Sequence, residues 1–315
     1  AIGLWIFVSL NKFSQIQVYS YILLSVSLIG IVFQVDWLFQ GKQDMKFISL
    51  TNIIARSVST LLIFLTVKKS QDVLVYCLLY ASSPLISNGI GIVIAKKRYH
   101  LKFVKTSLNQ VLQEMKSGWY VFTTQFTSQV FGSAGVTFLV FWSNSAIVGG
   151  FSAIQKIPNV VLMLWLPVSQ VIYPVVSKKM EVNLQEGINY VLRLRRLLLS
   201  FFGIIIIAMI FLSRYLVLIA FGSSFVQYSG WLIPLLMWAF ISIDNGLLGV
   251  QILLGSGHDK EYSTCFLISV IVTVVSSATL VFFFKGWGAS IAPLISEGTL
   301  DILLLYEVAR LRRIK

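Results

Sequence analysis

The chain has 315 residues, 57% of them apolar and only 12% charged, with a formal net charge of +13 and a mean hydropathy of +0.84. A soluble domain carries about a quarter of its residues as charges, whereas here the apolar residues come in blocks of the ~20 that a helix needs to cross a bilayer. Composition therefore excludes a soluble domain and predicts an all-α polytopic membrane protein. Long apolar runs also exclude a barrel, whose strands are short and alternate in polarity.

The chain starts at Ala1, and AIGLWIFVSL reads as the tail of a span already under way, so a fragment with a missing start is expected. After this partial span at 1–9, full spans are predicted near 15–38, 46–67, 73–95, 119–142, 146–177, 197–220, 230–254, 262–284 and 286–307. Pro158, Pro167 and Pro174 predict that the 146–177 helix is kinked or broken, because proline removes a helical donor and crowds the preceding turn. Cys77 and Cys265 fall in apolar segments and are expected as inert core thiols rather than a disulfide.

Lysine and arginine set the orientation. The connections at 40–46, 96–117, 178–196 and 256–262, with the tail from 306, hold 18 of the 25 basic residues, and the opposite connections hold 5. The first set, and with it the C-terminus, is expected in the cytoplasm. Most of the net charge is then a topology signal, and no nucleic-acid partner is expected. Leu108, Val111, Leu112 and Met115 recur at helical spacing behind Thr106 and Ser107, either of which can cap. This predicts an amphipathic linker helix over 101–117 at the cytoplasmic surface, with a soluble linker helix as the alternative. It separates an incomplete N-terminal lobe, 1–100, from a six-helix C-terminal lobe, 118–315.

SPLISNG at 83–89 returns as APLISEG at 292–298. LFQGKQDMKF (38–47) aligns with LLGSGHDKEY (253–262), setting Asp44 opposite Asp259. Each turn leads to one span, an outer loop, the shared phrase and a basic end, AKKR (95–98) or ARLRR (309–313). Both copies cross in the same sense, so the repeat is parallel, of the kind related by an axis along the membrane normal. It predicts a 6+6 parent with both ends inside and the first two spans and most of the third missing.

DWLFQGKQDMKFISLTNIIAR, SSPLISNG, SGWYVF, AIQKI (153–157), QVIYPVVSK (170–178) and GVQILLGSGHDK (249–260) resemble the lipid-linked oligosaccharide flippases of bacterial O-antigen synthesis (the Wzx type). These belong to the multidrug/oligosaccharidyl-lipid/polysaccharide exporter superfamily. The resemblance covers essentially the whole chain in order. It implies two six-helix lobes around a central cavity in the bacterial inner membrane. It also implies alternating access that carries an undecaprenyl-diphosphate-linked oligosaccharide to the periplasmic leaflet, with membrane lipids, a polysaccharide polymerase and chain-length machinery as partners. No cofactor is implied. An ion-coupled multidrug antiporter of the same superfamily is the nearest alternative, and a membrane glycosyltransferase or polymerase the enzymatic one. The sequence offers no metal-ligand spacing, nucleophile–histidine arrangement or phosphate-binding glycine loop.

An ionisable group in mid-span costs at least ~2.5–3.5 kcal/mol and marks either function or a partner. Asn52, Arg56 and Ser59 follow i, i+4, i+7. Arg56 is read as a cavity cation for a diphosphate, whose oxygens match the guanidinium fork, or as the partner of a carboxylate such as Asp36. Lys156, on the stripe Ser152, Lys156, Asn159 and Met163, is read as substrate-facing, or else as snorkelling. The acids Asp244, Glu297 and Asp301 are candidates for ion coupling, or for neutralising Lys156. Gln125, Ser128 and Gln129 form a polar strip that either hydrogen-bonds sugar hydroxyls or joins helices. Asn52 and Asn159 complete the expected polar cavity wall.

Overall fold

The computed structural model describes residues 14–42, 44–100 and 107–313. It divides into two compact units, Ala1–Val111 and Leu112–Lys315. The partial span expected at 1–9 and the first residues of the expected linker helix, 101–106, lie outside the described residues.

The first unit contains α1 (Gln15–Val32), the short α2 (Asp36–Gly41), α3 (Met45–Thr66) and α4 (Val73–Tyr99). Ser14 caps α1 with a capping box to Gln17. α4 packs against both α1 and α3. Its shared phrase makes two of the joining contacts: Ser87 Oγ donates to Asn52 Oδ1 at 3.3 Å and Asn88 Nδ2 donates to the Gly30 carbonyl at 2.7 Å. Gly30 lies in the last turn of α1, where carbonyls have no helical successor, so Asn88 satisfies an otherwise open acceptor. At the other end, Asp44 accepts from Arg98 Nε (2.9 Å) and Tyr99 Oη (2.6 Å), closing the α2–α3 turn onto the end of α4.

The second unit comprises α5 (Leu108–Trp142) from Leu112 onward, α6 (Ser145–Ile154), α7 (Lys156–Val182), α8 (Leu184–Phe211), α9 (Ser213–Phe221), α10 (Leu232–Asn245), α11 (Asp259–Phe284) and α12 (Gly286–Arg313). A 3₁₀ segment, Ser223–Trp231, leads into α10, and a π-helix, Gly246–Leu253, continues it. The core is centred on α10 and the π-helix, where Leu232, Leu235, Leu236, Ile243, Leu247 and Leu248 are fully buried.

Among the described residues, eight helical stretches are long and apolar enough to cross a membrane, and Phe131–Trp142 forms the apolar part of α5. This is a multi-pass, all-α membrane protein. Three expectations shift in detail. The 146–177 segment is broken, as its prolines predict, and the break falls at Gln155. The cause is local: the ring of Pro158 crowds the carbonyl four residues back, Ile154, and α6 ends there. Pro158 then sits in the first turn of α7, where a missing N–H costs nothing, while Pro167 and Pro174 are carried inside the helix. The span expected at 197–220 instead begins at Leu184, capped by Asn183, and stops at Leu212. Finally, the linker residues from Leu108 and the span predicted at 119–142 form one helix. Ser107 provides its cap, accepting from Gln110 N, and Leu108, Leu112 and Met115 are exposed along it. Cys77 and Cys265 are buried free thiols.

Candidate functional site

Lys156 opens α7 directly after the break at Gln155 and is exposed. Asn159 and Met163 follow at i+3 and i+7 on the same face of the helix. Both line a cavity of about 520 Å³. Its aromatic lining is Phe131 from α5, Trp165 from α7, and Tyr262 and Phe266 from α11; its polar lining beside Asn159 is Ser242, Asn245 and Glu297. Phe131 and Phe266 have ring centroids 5.5 Å apart, and Tyr262 stacks on Phe266 at 6.1 Å.

The aromatic walls depend on the π-helix. A Cβ at Gly246 would lie 2.8 Å from Trp165 Nε1, and one at Gly249 would lie 2.5 Å from Tyr262 Cε2. Both rings therefore rest against bare backbone. The π-helix is anchored to α7 by Gln251, fully buried, whose Nε2 donates to the Ser169 carbonyl and hydroxyl at 3.0 and 2.9 Å. Short π segments concentrate at functional sites in proteins generally.

Glu297 is buried, with the side chain of Asn245 donating both to its carboxylate and, at 3.0 Å, to its backbone carbonyl. The Ser242 hydroxyl and Trp238 indole lie beside the same carboxyl, although Trp238 Nε1 and Asn245 Oδ1 have no partner of hydrogen-bond geometry.

A second charged cluster lies in the same unit. Arg195 of α8 forks onto Asp244 of α10, Nε to Oδ1 and Nη2 to Oδ2, each at 2.5 Å. Asp301 of α12 faces this pair electrostatically, and its Oδ1 is buried without a partner. The expected alternative, neutralisation of Lys156 by the acids, is thus replaced: Asp244 is held by Arg195, and Lys156 has no ion pair among the described residues. Sequence position alone assigns Arg195 to a basic connection. Its helical register gives the better signal, since Ile188, Val191, Arg195 and Phe202 recur at i, i+3, i+7 and i+14, a face buried at its apolar positions.

In the first unit Arg56 is exposed and has no ion pair among the described residues. Asp36, weighed as its partner, accepts instead from Gln34 Nε2 at 2.6 Å. The Asn52 side chain is engaged by Ile48 and Ser87, and Ser59 is buried without a partner, so the three-residue stripe splits between an exposed cation and groups facing into the unit. Gln129 is exposed, while the Gln125 and Ser128 side chains lie outside the described residues. The structure brings Asn159 and Glu297 to one cavity, with Lys156 one turn away, and joins Asp244 to Asp301. Ser242, Trp165, Tyr262 and Arg195 are added to the residues expected from sequence.

Residues 4–180, more than half of the chain, match the family described as polysaccharide biosynthesis protein. The chain belongs to that family. It is 26% identical over 295 residues to a protein described as "Putative O-antigen transporter" from Shigella dysenteriae, covering 92% of this chain and 73% of that one. It is 27% identical over 286 residues to a protein of the same description from Escherichia coli K12, covering 90% and 68%. Among solved structures it is similar to the lipid II flippase MurJ in an inward closed conformation, with a TM-score of 0.70 at 16% identity. That match covers 92% of this chain but spans only 61% of the MurJ chain. The likeness establishes a shared fold.

Proposed function

We propose that the chain is part or all of a flippase that moves a polyprenyl-diphosphate-linked oligosaccharide, an O-antigen or related repeat unit, from the cytoplasmic to the periplasmic leaflet of the bacterial inner membrane by alternating access. Its curated relatives carry the description of O-antigen transporters, and its fold is that of a lipid flippase. The observation that carries the substrate reading is Lys156: an unpaired, exposed cation at a helix break, one turn from a cavity with aromatic and polar walls. A diphosphate supplies the counter-charge that no acid among the described residues supplies.

Arg56 is the matching cation of the first unit. Asn52, Gln125, Gln129 and Asn159 are the polar groups offered to sugar hydroxyls, with Asn52 doing so only by exchanging its bond to Ser87. Of the acids first considered for ion coupling, Asp244 is neutralised in the fork with Arg195. Asp301, its buried oxygen unpartnered, is the better candidate, and Glu297 belongs to the cavity. The two compact units correspond to the two lobes, the 18-to-5 division of basic residues supports a cytoplasmic C-terminus, and a polymerase with its chain-length machinery would take the product at the periplasmic face. A multidrug antiporter with cationic cargo is disfavoured by two cations that have no ion pair among the described residues.

The protein, expressed from its complete gene in a bacterium lacking its own lipid-linked oligosaccharide flippase but making the cognate repeat unit, is expected to restore surface polysaccharide. Lys156→Ala and Arg56→Ala at equal protein level are each expected to lower it at least tenfold. Full restoration by both variants would remove these cations from the mechanism, and no restoration by the parent would reject the flippase reading.

A further inference from the structure

The cavity of the second unit has the size and lining of a small-molecule site: about 520 Å³, within the ~300–1,000 Å³ typical of ligand pockets. Resting on the flippase reading above, we propose that it is a saccharide subsite that takes the sugar ring joined directly to the diphosphate.

Three features point to a sugar. First, four aromatic residues line the cavity, and aromatic rings suit the apolar C–H face of a pyranose; two of them, Trp165 and Tyr262, are packed against the bare backbone of Gly246 and Gly249. Second, the polar groups are the kind that hydroxyls need. A carboxylate accepts only, the Ser242 hydroxyl both donates and accepts, and Asn159 and Asn245 offer amides. Each sugar hydroxyl is a donor and an acceptor, so a ring can use all of them. Third, the geometry of α7 links the cavity to the diphosphate. Lys156 and Asn159 lie three residues apart, about 5 Å along the helix axis, so a phosphate held by Lys156 brings the adjoining ring to Asn159.

Other occupants fit less well. A prenyl tail would strip water from Glu297 without returning a hydrogen bond, which is costly. An organic cation would suit the carboxylate and the rings but would be repelled by the exposed ammonium of Lys156 one turn away on α7, and Glu297 is already partly compensated by the Asn245 amide. Glu297 is thereby a specificity-determining residue: it selects rings with a hydroxyl or amide N–H directed at it. The shared phrase carries Asn at this position in the first unit, so the acceptor charge is a property of the second copy alone.

The test is equilibrium binding to the complete protein in lipid nanodiscs. The probes are farnesyl diphosphate and farnesyl diphosphate bearing one glucose, galactose or N-acetylglucosamine. The parent is expected to bind at least one glycosylated probe about tenfold more tightly than farnesyl diphosphate. Glu297→Gln keeps the shape of the side chain and is expected to bring that ratio close to one while leaving farnesyl diphosphate binding unchanged. Lys156→Ala is expected to weaken all probes together. Retained farnesyl diphosphate binding certifies the fold of Glu297→Gln, and an unchanged thermal unfolding midpoint certifies that of Lys156→Ala; if Glu297→Gln loses farnesyl diphosphate binding, Ser242→Ala is read in its place with the same expected loss of ratio. A parent that binds farnesyl diphosphate but prefers no glycosylated probe, or a ratio untouched in the variant, overturns the subsite and leaves the flippase reading standing. A parent that binds no probe overturns that reading and the subsite with it.

Discussion

Asn245 donates to the carboxyl and the backbone of Glu297, joining the end of α10 to α12. The shared phrase carries Asn88 onto Glu297, and in the first unit this position also joins two helices: Asn88 donates to the Gly30 carbonyl. The same position of the phrase thus makes an interhelical bond in both units, as donor in the first and as acceptor in the second. In the first copy the bond closes the turn of a helix. In the second it leaves a carboxylate on the wall of a cavity.

Loss of the first-copy bond should be structural alone. Asn88→Ala leaves the Gly30 carbonyl buried without its partner, a cost of about 1–3 kcal/mol. Thermal unfolding in detergent is expected to show this loss, with probe binding at the second-unit cavity intact in the protein that remains folded. Unchanged stability would mean that the carbonyl finds another donor.

The Arg195–Asp244 fork is a partly buried pair, with Arg195 26% and Asp244 9% exposed at the side chain. Removing one member of such a pair costs about 3–5 kcal/mol because the other charge is left buried. Arg195→Ala leaves two carboxylates, Asp244 and Asp301, facing each other, and should be the more damaging single change. The double variant Arg195→Met with Asp244→Leu is expected to recover much of the loss. Equal stability of the single and double variants would show that the fork is energetically idle.

At the α2–α3 turn the hydroxyl of Tyr99, then the guanidinium of Arg98, hold the Asp44 carboxyl below its usual value of 3.8. A carboxyl lowered in the folded state contributes stability above its unfolded value, and this contribution fades as pH falls below about 3.8 through the folded value. Hydrogen exchange of the turn amides is expected to accelerate in that acid window in the parent. Asp44→Asn should exchange faster at neutral pH and show no such step. An identical acid step in both proteins would assign it to another group.

Gly249→Ala inserts a methyl group 2.5 Å from the Tyr262 ring, with Leu304 Cδ1 only 3.3 Å away on the same side. Overpacking of this kind costs typically about 1–3 kcal/mol, and here it should also push Tyr262 into the cavity. Weaker binding of a glycosylated probe, beyond any change for farnesyl diphosphate, is the expected result; unchanged binding would mean that Tyr262 moves away from the site.

Composition and periodicity made the multi-pass helical class and the break between α6 and α7 legible, because long apolar blocks and proline act locally and leave few alternatives. Ion-pair partners were not legible. Arg195 reads as one of several basic residues near Arg193 and Arg196, and only the packing of α8 on α10 turns it toward Asp244. The cavity was half visible: Lys156, Asn159 and Glu297 stand out as polar residues in apolar text, whereas Trp165 and Tyr262 are indistinguishable from core aromatics until the glycines of the π-helix show what they pack against. Continuous α-helical periodicity also hides the π-helix, since widening a turn changes the register of side chains without changing their type.

The most direct measurement is transport itself. The complete protein, reconstituted into liposomes with a fluorescent polyprenyl-diphosphate-linked oligosaccharide in both leaflets, would be challenged with a membrane-impermeant quencher. The account predicts that quenching passes the one-leaflet plateau near half of the signal and proceeds to completion, and that Lys156→Ala slows this second phase at least tenfold. A signal that stays at the one-leaflet plateau with active, folded protein would contradict the claim that this protein carries lipid-linked saccharide across the bilayer.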